Sequence, residues 1–411
     1  MNKCVVTASV FAAFAAPAVA QTQQVKPPIA VYWMSAETAG GMGIAMPAGM
    51  AGMMPPGMQG GKRMRMDLGS SQSASGEPRG QHAIPAGLNM GSALPLVTPR
   101  SERVVPGRPD ETPEQRAERP RGRMLIYWGC GEAIRPGQPV VVDFASLDAD
   151  SAARAFRTRN VSRPTAPAPG RSRTYGEWPN AESTLAVPAD GSLRGDHAVT
   201  ANYSPELRFA IGERHDFMAP VAFDPVRRTA AGAFQVKWSG IPTAIGYFAM
   251  ATGRGETDND VVMWSSSESQ EMGYALMDYL PPSEVQRLVR EKVVLAPQTT
   301  ECAVPAGVFK GEGAMLNFIA YGDELNVVHP PRPADPRKTW EQEWAAKVRL
   351  KSTGMTLLAE GGGTEGRRGA RSPGRSEEPR AAPGEQRAPA QPGAPDVVQE
   401  GIKALRGIFG R

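Results

Sequence analysis

The sequence has few of the side chains on which most catalytic sites depend. Its 411 residues include four histidines and three cysteines. It contains no G-x-S-x-G, no H-E-x-x-H and no glycine-rich phosphate loop, so three common catalytic signatures are absent. Asp196-His197 and His215-Asp216 are neighbours in the chain. Neighbours on a strand point to opposite faces, so these pairs predict no catalytic dyad, and a hydrolase using His197 and His215 is the alternative.

Aromatic residues are also scarce, at 7%, whereas the chain carries 45 glycines and 39 prolines. This abundance of backbone breakers excludes long helical bundles and coiled coils. The formal net charge is only +4, and arginines and glutamates are interspersed rather than concentrated. Because nucleic-acid proteins need a basic surface, we exclude nucleic acid as a partner. The composition therefore favours a mainly β protein that is most simply non-catalytic.

Long hydrophobic runs are missing apart from one at the N-terminus. After Lys3 a mostly apolar run covers residues 4–16, about 13 residues, whereas a membrane span needs about 20. Ala18-Val19-Ala20 follows as a small-x-small triplet. This pattern predicts a signal peptide cleaved near Ala20, and a mature protein that is periplasmic or secreted.

Two cysteines remain after removal of the leader, Cys130 and Cys302. In an oxidising compartment an even pair is expected to form a disulfide bond. The alternative is two buried free thiols. Neither has a second cysteine close in sequence, which argues against a thiolate metal cluster.

Strands are the main signal along the rest of the chain. Short apolar or alternating runs bounded by glycine and proline recur. In the clearest run, residues 344–351, apolar side chains alternate with Lys347, Arg349 and Lys351. This alternation predicts a half-buried antiparallel strand with one apolar and one cationic face.

Residues 234–251, FQVKWSGIPTAIGYFAMA, resemble the second and third strands of fibronectin type III and related immunoglobulin-like sandwiches. An alternating strand with a tryptophan and an A-x-x-Y spacing carry the resemblance, at Val236, Trp238, Ala244 and Tyr247. The resemblance implies a two-sheet sandwich over about residues 199–330, with an indole filling the gap of about 10 Å between the sheets. It implies no activity, since such sandwiches have many functions.

One helix is predicted inside this region. Ser283 and Gln286 fit a capping box, and apolar residues follow at helical spacing, so we expect a helix over 283–292. This is a departure from the sandwich family, in which a short loop is usual at that point.

Four stretches rich in glycine, proline, arginine or methionine are predicted not to fold alone: 40–61, 99–123, 158–174 and 361–394. The predicted organisation is a signal peptide 1–20, a β-rich region 21–157 with a Met/Gly-rich loop 40–61 and a Pro/Arg linker 99–123, a linker and irregular segment 158–198, a sandwich 199–360 with the inserted helix, a disordered linker 361–394 and an amphipathic helix 395–411.

A pattern of tryptophan followed four residues later by glutamate occurs three times: Trp33 with Glu37, Trp128 with Glu132, and Trp264 with Glu268. It indicates either strands of related geometry or, for the first two, a duplicated unit. An indole beside a carboxylate can hold a sugar ring, which makes a polysaccharide-binding module one interpretation. The other is that each tryptophan lies in the core and each glutamate is solvated.

Methionines crowd the N-terminal part, with a spacing near four at Met42, Met46, Met50, Met54 and Met58. Thioether sulfurs are soft ligands that select Cu(I), so a copper-binding periplasmic protein is a second alternative. An adaptable apolar loop is the other interpretation.

A different metal pattern is the loop with Glu256, Asp258 and Asp260, which suits either Ca²⁺ or a polar hairpin turn.

The C-terminal segment 395–411 predicts a short amphipathic helix after a flexible tether. Its apolar and basic positions are Val398, Ile402, Leu405 and Phe409, with Lys403 and Arg406. Such a helix can dock on a partner protein or on an anionic membrane surface. Taken together, the sequence predicts a non-catalytic, exported envelope interaction or scaffold protein.

Overall fold

A computed structural model describes residues 23–42, 60–99, 122–146, 161–257, 259–310 and 313–359 of the chain. The predicted signal peptide, the methionines from Met46 to Met58 and the predicted C-terminal helix 395–411 lie outside these residues. The described part is mainly β, as the sequence predicts.

Eighteen strands and one α-helix form in the described residues. They are β1 (Val25–Lys26), β2 (Ala30–Met42), β3 (Gly61–Ser70), β4 (Gly80–Ala83), β5 (Ala93–Leu96), β6 (Arg123–Trp128), β7 (Val140–Asp143), β8 (Thr174–Trp178), β9 (Gly195–Ala201), β10 (Ser204–Ile211), β11 (Arg227–Arg228), β12 (Phe234–Lys237), β13 (Ala244–Arg254), β14 (Val261–Ser265), α1 (Pro282–Arg290), β15 (Glu301–Val304), β16 (Ala314–His329), β17 (Trp340–Glu341) and β18 (Trp344–Leu358).

The largest sheet has nine strands in the order β7-β6-β14-β13-β16-β18-β2-β3-β8. Two of its neighbouring pairs are parallel, β6 with β14 and β2 with β18, and the others are antiparallel. Three smaller sheets have the orders β10-β9-β4-β5, β11-β12-β15 and β1-β17.

The nine-stranded sheet contains the same four-stranded arrangement twice. One half is β3-β2-β18-β16 and the other is β7-β6-β14-β13, and each is two hairpins whose first and last strands pair in parallel. The halves meet antiparallel at β13 and β16, as a two-fold axis perpendicular to the sheet requires. Tyr32 and Tyr127 occupy equivalent strands and pack in the same core cluster. The strands that carry the first two Trp–Glu patterns, β2 and β6, therefore occupy equivalent positions in the sheet.

One side of the nine-stranded sheet, here called the sandwich face, is covered by the four-stranded and three-stranded sheets. Alternate residues of its strands form the main core, for example Tyr32, Met66, Tyr247 and Phe318, all of them fully buried. Trp238 is 4% exposed and packs with its ring centroid 4.8 Å from that of Phe318. Burial of this continuous apolar layer is the main source of stability.

The opposite side, here called the outer face, is only partly covered. Over β13, β14 and β6 it packs against α1 and the segments beside it, in a second core cluster that includes Phe248, Ile319 and Leu288. Over β18, β2, β3 and β8 the outer-facing positions are mostly polar or charged. The two halves of the sheet therefore share a topology but differ in what lies on this side.

Cys130 and Cys302 form the predicted disulfide bond, with 2.07 Å between their Sγ atoms. Cys130 follows β6 of the nine-stranded sheet, and Cys302 lies in β15 of the three-stranded sheet. The bond therefore fastens the two layers to each other. Such a bond fits an oxidising compartment.

Several sequence predictions are corrected in detail. The helix is present, but it spans Pro282–Arg290, Pro281 is its N-cap and no side chain caps it, so Ser283 does not form a capping box. The fixed φ of proline at the first helical position starts the helix instead. Strand β18 does alternate as predicted, yet it is antiparallel only to β16 and parallel to β2.

The predicted division of the chain does not separate the sheets. Strands from 21–157 and from 199–360 alternate within the nine-stranded sheet, and β8, which lies in the predicted linker 158–198, forms its edge. Residues 234–237 lie in the three-stranded sheet, and residues 244–254 lie in the nine-stranded sheet. Among the described residues, no helix is both long and apolar enough to cross a membrane.

Candidate functional site

The outer face over β18, β2, β3 and β8, here called its polar half, presents a row of cations along β18. Because side chains alternate along a strand, Lys347, Arg349 and Lys351 all point to this face while their neighbours enter the core. The parallel register places them beside outer-facing residues of β2: Lys347 beside Trp33, Arg349 beside Ser35, and Lys351 beside Glu37. Strand pairing across more than three hundred residues of sequence thus assembles a mixed cationic and aromatic surface.

Three cations and two aromatic rings alternate in this surface, and we call the set the cation–aromatic ladder: Lys347, Trp33, Arg349, Tyr279 and Lys351. The Lys347 Nζ lies 5.4 Å from the Trp33 ring centroid. The guanidinium carbon of Arg349 lies 4.8 Å from the Trp33 centroid and 4.3 Å from that of Tyr279. The Lys351 Nζ lies 4.5 Å from the Tyr279 centroid. All four distances are within the range of a cation–π interaction.

Both ends of the ladder are neutralised by carboxylates. Lys347 forms an ion pair with Glu324, and its side chain is 17% exposed. Lys351 lies 3.7 Å from both Glu37 and Asp278, and its side chain is 13% exposed. Ammonium groups so far withdrawn from water require such partners, because burial of an unpaired charge is costly.

The centre of the ladder has no such partner. The Nε of Arg349 donates a hydrogen bond to the Ser35 hydroxyl at 2.7 Å. Among the described residues, no carboxylate lies within 4.0 Å of the Arg349 guanidinium, and its Nη atoms have no hydrogen-bond acceptor. The side chain is half-buried. Its terminal fork therefore keeps unused hydrogen-bond donors between two ion-paired lysines.

Glu37 and Tyr279 hold the ladder in place. The Glu37 carboxylate accepts a hydrogen bond from the Thr353 hydroxyl at 2.6 Å and lies 4.0 Å from the Arg63 guanidinium. Burial raises the pKa of Tyr279 well above its usual value, and the negative charge of Glu37 adds to this increase. The phenol therefore stays neutral at physiological pH, and its ring is available to Arg349 and Lys351.

A second polar network lies beside the ladder on β3 and β8. Arg65 donates to Asp67 at 3.0 Å and to Glu177 at 2.7 Å, and the Tyr175 hydroxyl donates to Asp67 at 2.6 Å. Burial, followed by its hydrogen bond to Asp67, raises the pKa of Tyr175. Every charge of this network has a partner, so we interpret it as a structural support of the sheet edge rather than as a binding group.

The segment 165–173 crosses the outer face at the other end of β2 and β3. Gly69 permits this crossing, because a Cβ atom at that position would lie 2.9 Å from the Cβ of Pro167 and would overlap the Ser172 hydroxyl. Between this segment and the strands lies a cavity of about 520 Å³. Its lining includes Val31, which shares the outer face with Trp33, and Arg171.

The structure places the three predicted Trp–Glu pairs in different surroundings. Trp33 and Trp264 are 5% and 1% exposed, so neither indole offers a free face, whereas Trp128 is half-buried. The glutamates differ as well: Glu37 supports the ladder, Glu132 is exposed, and Glu268 forms a two-pronged ion pair with Arg135. Trp264 lies on β14, which is not equivalent to β2 and β6, and its indole N–H donates to the Gly129 carbonyl at 3.1 Å.

The other candidate chemical groups are not assembled into one site. His197 is 2% exposed and bonds to His82, whereas His215 lies 4.0 Å from Asp323. In the loop proposed for Ca²⁺, Glu256 pairs with Lys310 and Asp260 pairs with Arg123, while Asp258 lies outside the described residues. Within the described part of the chain, no three His, Cys, Asp or Glu residues are placed to bind a metal ion.

The sequence predicts neither Tyr279 as part of the ladder nor Ser35 as the hydrogen-bond partner of Arg349. The sequence identifies Lys347, Arg349 and Lys351 only as the solvent side of a strand. Ser35 lies in the pairing partner β2, and Tyr279 reaches the outer face from the turn before α1. No local pattern marks either residue, because both meet Arg349 only through tertiary folding. Met42 ends β2, and the remaining predicted copper ligands lie outside the described residues.

Comparison with known proteins adds no relative: no family model, no curated protein and no solved structure matches this chain.

Proposed function

We propose that this protein is a non-catalytic interaction protein of an exported compartment, and that its contact surface is the polar half of the outer face. One observation carries the proposal: the Arg349 guanidinium, held over two aromatic rings between two lysines, has no carboxylate partner among the described residues. Arginine next to aromatic residues is typical of protein contact surfaces, where it supplies much of the binding energy.

The compartment is part of the same proposal. The Cys130–Cys302 bond supports an oxidising environment. The predicted signal peptide with cleavage near Ala20 further supports a periplasmic or secreted location. In this view the predicted C-terminal helix 395–411 adds a second attachment to an envelope protein or a membrane surface. The immunoglobulin-like resemblance remains an interpretation of the fold and carries no activity.

Cross-linking of the exported full-length chain tests the proposal. We compare the unmodified protein with Arg349→Gln and with a matched control, Arg228→Gln. Arg228 is an exposed arginine that lies 4.1 Å from the Phe234 ring centroid on the three-stranded sheet. If partner cross-links are lost only in Arg349→Gln, the result supports the outer face as the contact surface. An unchanged set of cross-linked partners in all three proteins contradicts it.

Polysaccharide binding is a second candidate, and Trp128 with Glu132 is the pair that favours it, because this indole is half-buried and this glutamate is exposed. Titration of tryptophan fluorescence with cell-wall glycans tests it, with Trp128→Phe as the comparison.

Cu(I) binding by the Met-rich loop is tested by a copper competition with and without residues 43–58. In both assays, equal signals from the two proteins contradict the candidate function.

A further inference from the structure

The centre of the cation–aromatic ladder differs chemically from its two ends. The two end cations already have carboxylates, Glu324 at Lys347, and Glu37 and Asp278 at Lys351. If aromatic contact alone satisfied buried cations, these carboxylates would not be needed at the ends. The central arginine lies in the same half-buried surface and lacks the corresponding anion among the described residues.

The geometry limits which donors of Arg349 are available. The Nε–H is used by the Ser35 hydroxyl at 2.7 Å. The centroids of the Trp33 and Tyr279 rings lie 4.8 Å and 4.3 Å from the guanidinium carbon, so both rings occupy space beside the group. What remains is the edge formed by Nη1 and Nη2, which presents parallel N–H donors in one plane. Carboxylate and phosphate groups match such a planar fork with two oxygens.

From these observations we infer that the ladder is a binding site for an anionic group with two neighbouring oxygens, a carboxylate or a phosphate, held at the Nη edge of Arg349. Lys347 and Lys351 lie on either side of Arg349 and already have carboxylate partners. Trp33 and Tyr279 hold the guanidinium in place, so little conformational entropy is lost on binding. This inference rests on the proposed function, since it names the chemistry that the outer face recognises in its partner.

Inorganic phosphate and acetate are the probes that test this inference, with chloride at equal ionic strength as the reference. The indole N–H signal of Trp33 in an NMR spectrum of the full-length protein is the readout, assigned with Trp33→Phe. We expect a saturable shift with at least one probe and no comparable shift with chloride. Saturation by phosphate alone or by acetate alone identifies whether the site binds a phosphate or a carboxylate.

Substitutions at Arg349 test whether binding needs the planar guanidinium group or only a positive charge. Arg349→Gln should abolish saturation, and Arg349→Lys, which retains the charge but not the fork, should weaken binding by about tenfold. Arg228→Gln should bind as the unmodified protein does. Linear shifts with no saturation, or saturation that survives in both Arg349 variants, overturn the inference.

The same proteins distinguish failure of this inference from failure of the proposed function. If partner cross-links depend on Arg349 but neither phosphate nor acetate binds saturably, the anion site is contradicted. The contact surface is then still supported. Saturable anion binding with cross-links that are unaffected by Arg349→Gln supports the anion site and contradicts the contact surface.

Discussion

His82 and His197 form a hydrogen bond inside the protein, with 2.9 Å between Nε2 of His82 and Nδ1 of His197. Nε2 of His197 faces the Leu193 carbonyl at 2.7 Å, and a carbonyl only accepts, so this nitrogen carries a hydrogen. The neutral His197 therefore accepts at Nδ1, His82 donates from Nε2, and His82 accepts at Nδ1 from the Tyr32 hydroxyl at 2.8 Å. The chain of bonds has one direction and joins the four-stranded sheet to the nine-stranded sheet.

The burial of His82 and His197 predicts that the protein loses stability in acid. Burial lowers the pKa of both His82 and His197, so the folded protein disfavours their protonation. In the unfolded chain each titrates near a pKa of about 6.5. The stabilisation that the two neutral histidines provide is therefore fully present above that pH, and it decreases as the pH drops below it. Between pH 7.5 and pH 5.0 we expect up to about 2 kcal/mol less unfolding free energy for each histidine, measured by urea titration.

The double variant His82→Gln/His197→Gln isolates this effect. It should be less stable at pH 7.5, but its loss between pH 7.5 and pH 5.0 should be smaller by about 2 to 4 kcal/mol. His329→Gln serves as the control, because the His329 side chain is 50% exposed and outside the chain of bonds. An acid-dependent loss of the same size in the double variant and in the unmodified protein would falsify the neutral, buried arrangement.

The Cys130–Cys302 bond predicts a second stability change. It joins residues 172 positions apart and fastens two sheets, so its removal frees a long loop in the unfolded chain. Cys130→Ala/Cys302→Ala should lower the free energy of unfolding by about 2 to 4 kcal/mol. Reductant should destabilise the unmodified protein by a similar amount and leave the double variant unchanged. Two thiols that alkylate in the purified native protein would contradict the bond.

Local patterns in the sequence predict the strands better than they predict the site. The alternation in β18 predicts its apolar and cationic faces correctly, because this pattern depends only on neighbouring residues. Its parallel pairing with β2 depends on contacts across most of the chain, so the sequence does not reveal that Arg349 meets Ser35. The Trp–Glu pattern shows the same limit, since Trp33 and Trp264 lie on opposite faces of the sheet.

Trp238 tests the contact between the three-stranded and nine-stranded sheets. It is 4% exposed and lies with its ring centroid 5.7 Å from that of Tyr247, so Trp238→Ala should cost about 3 to 5 kcal/mol through the cavity it leaves. Trp238→Phe should cost less, because the indole N–H has no hydrogen-bond partner in the described structure.

Urea unfolding measures both Trp238 variants, and Leu185→Ala provides the comparison because Leu185 is 56% exposed. Leu185→Ala should change stability by less than about 0.5 kcal/mol. If Trp238→Ala proves as mild as Leu185→Ala, the indole does not fill the space between the sheets, and the two-layer packing described for this region is wrong.

Gly69 offers a way to release the segment 165–173 from the outer face without altering the ladder. In Gly69→Ala the new methyl group would lie 2.9 Å from the Cβ of Pro167 and would overlap the Ser172 hydroxyl, so the segment must shift. A segment that loses its packing opens more often and is cleaved faster. Trypsin should therefore cut after Arg171 and Arg173 several times faster in the native variant, as mass spectrometry of the fragments will show.

Gly212→Ala is the matched control, because no atom lies within 4 Å of a Cβ at that position and it needs no left-handed backbone. Its cleavage after Arg171 should proceed at the unmodified rate. Gly69→Ala should also leave phosphate and acetate binding unchanged, since the atoms nearest to the added methyl group belong to Pro167 and Ser172 and not to the ladder. Equal cleavage rates in both glycine variants would mean that the segment does not rest on Gly69, and the cavity beside Val31 would then have no fixed wall on that side.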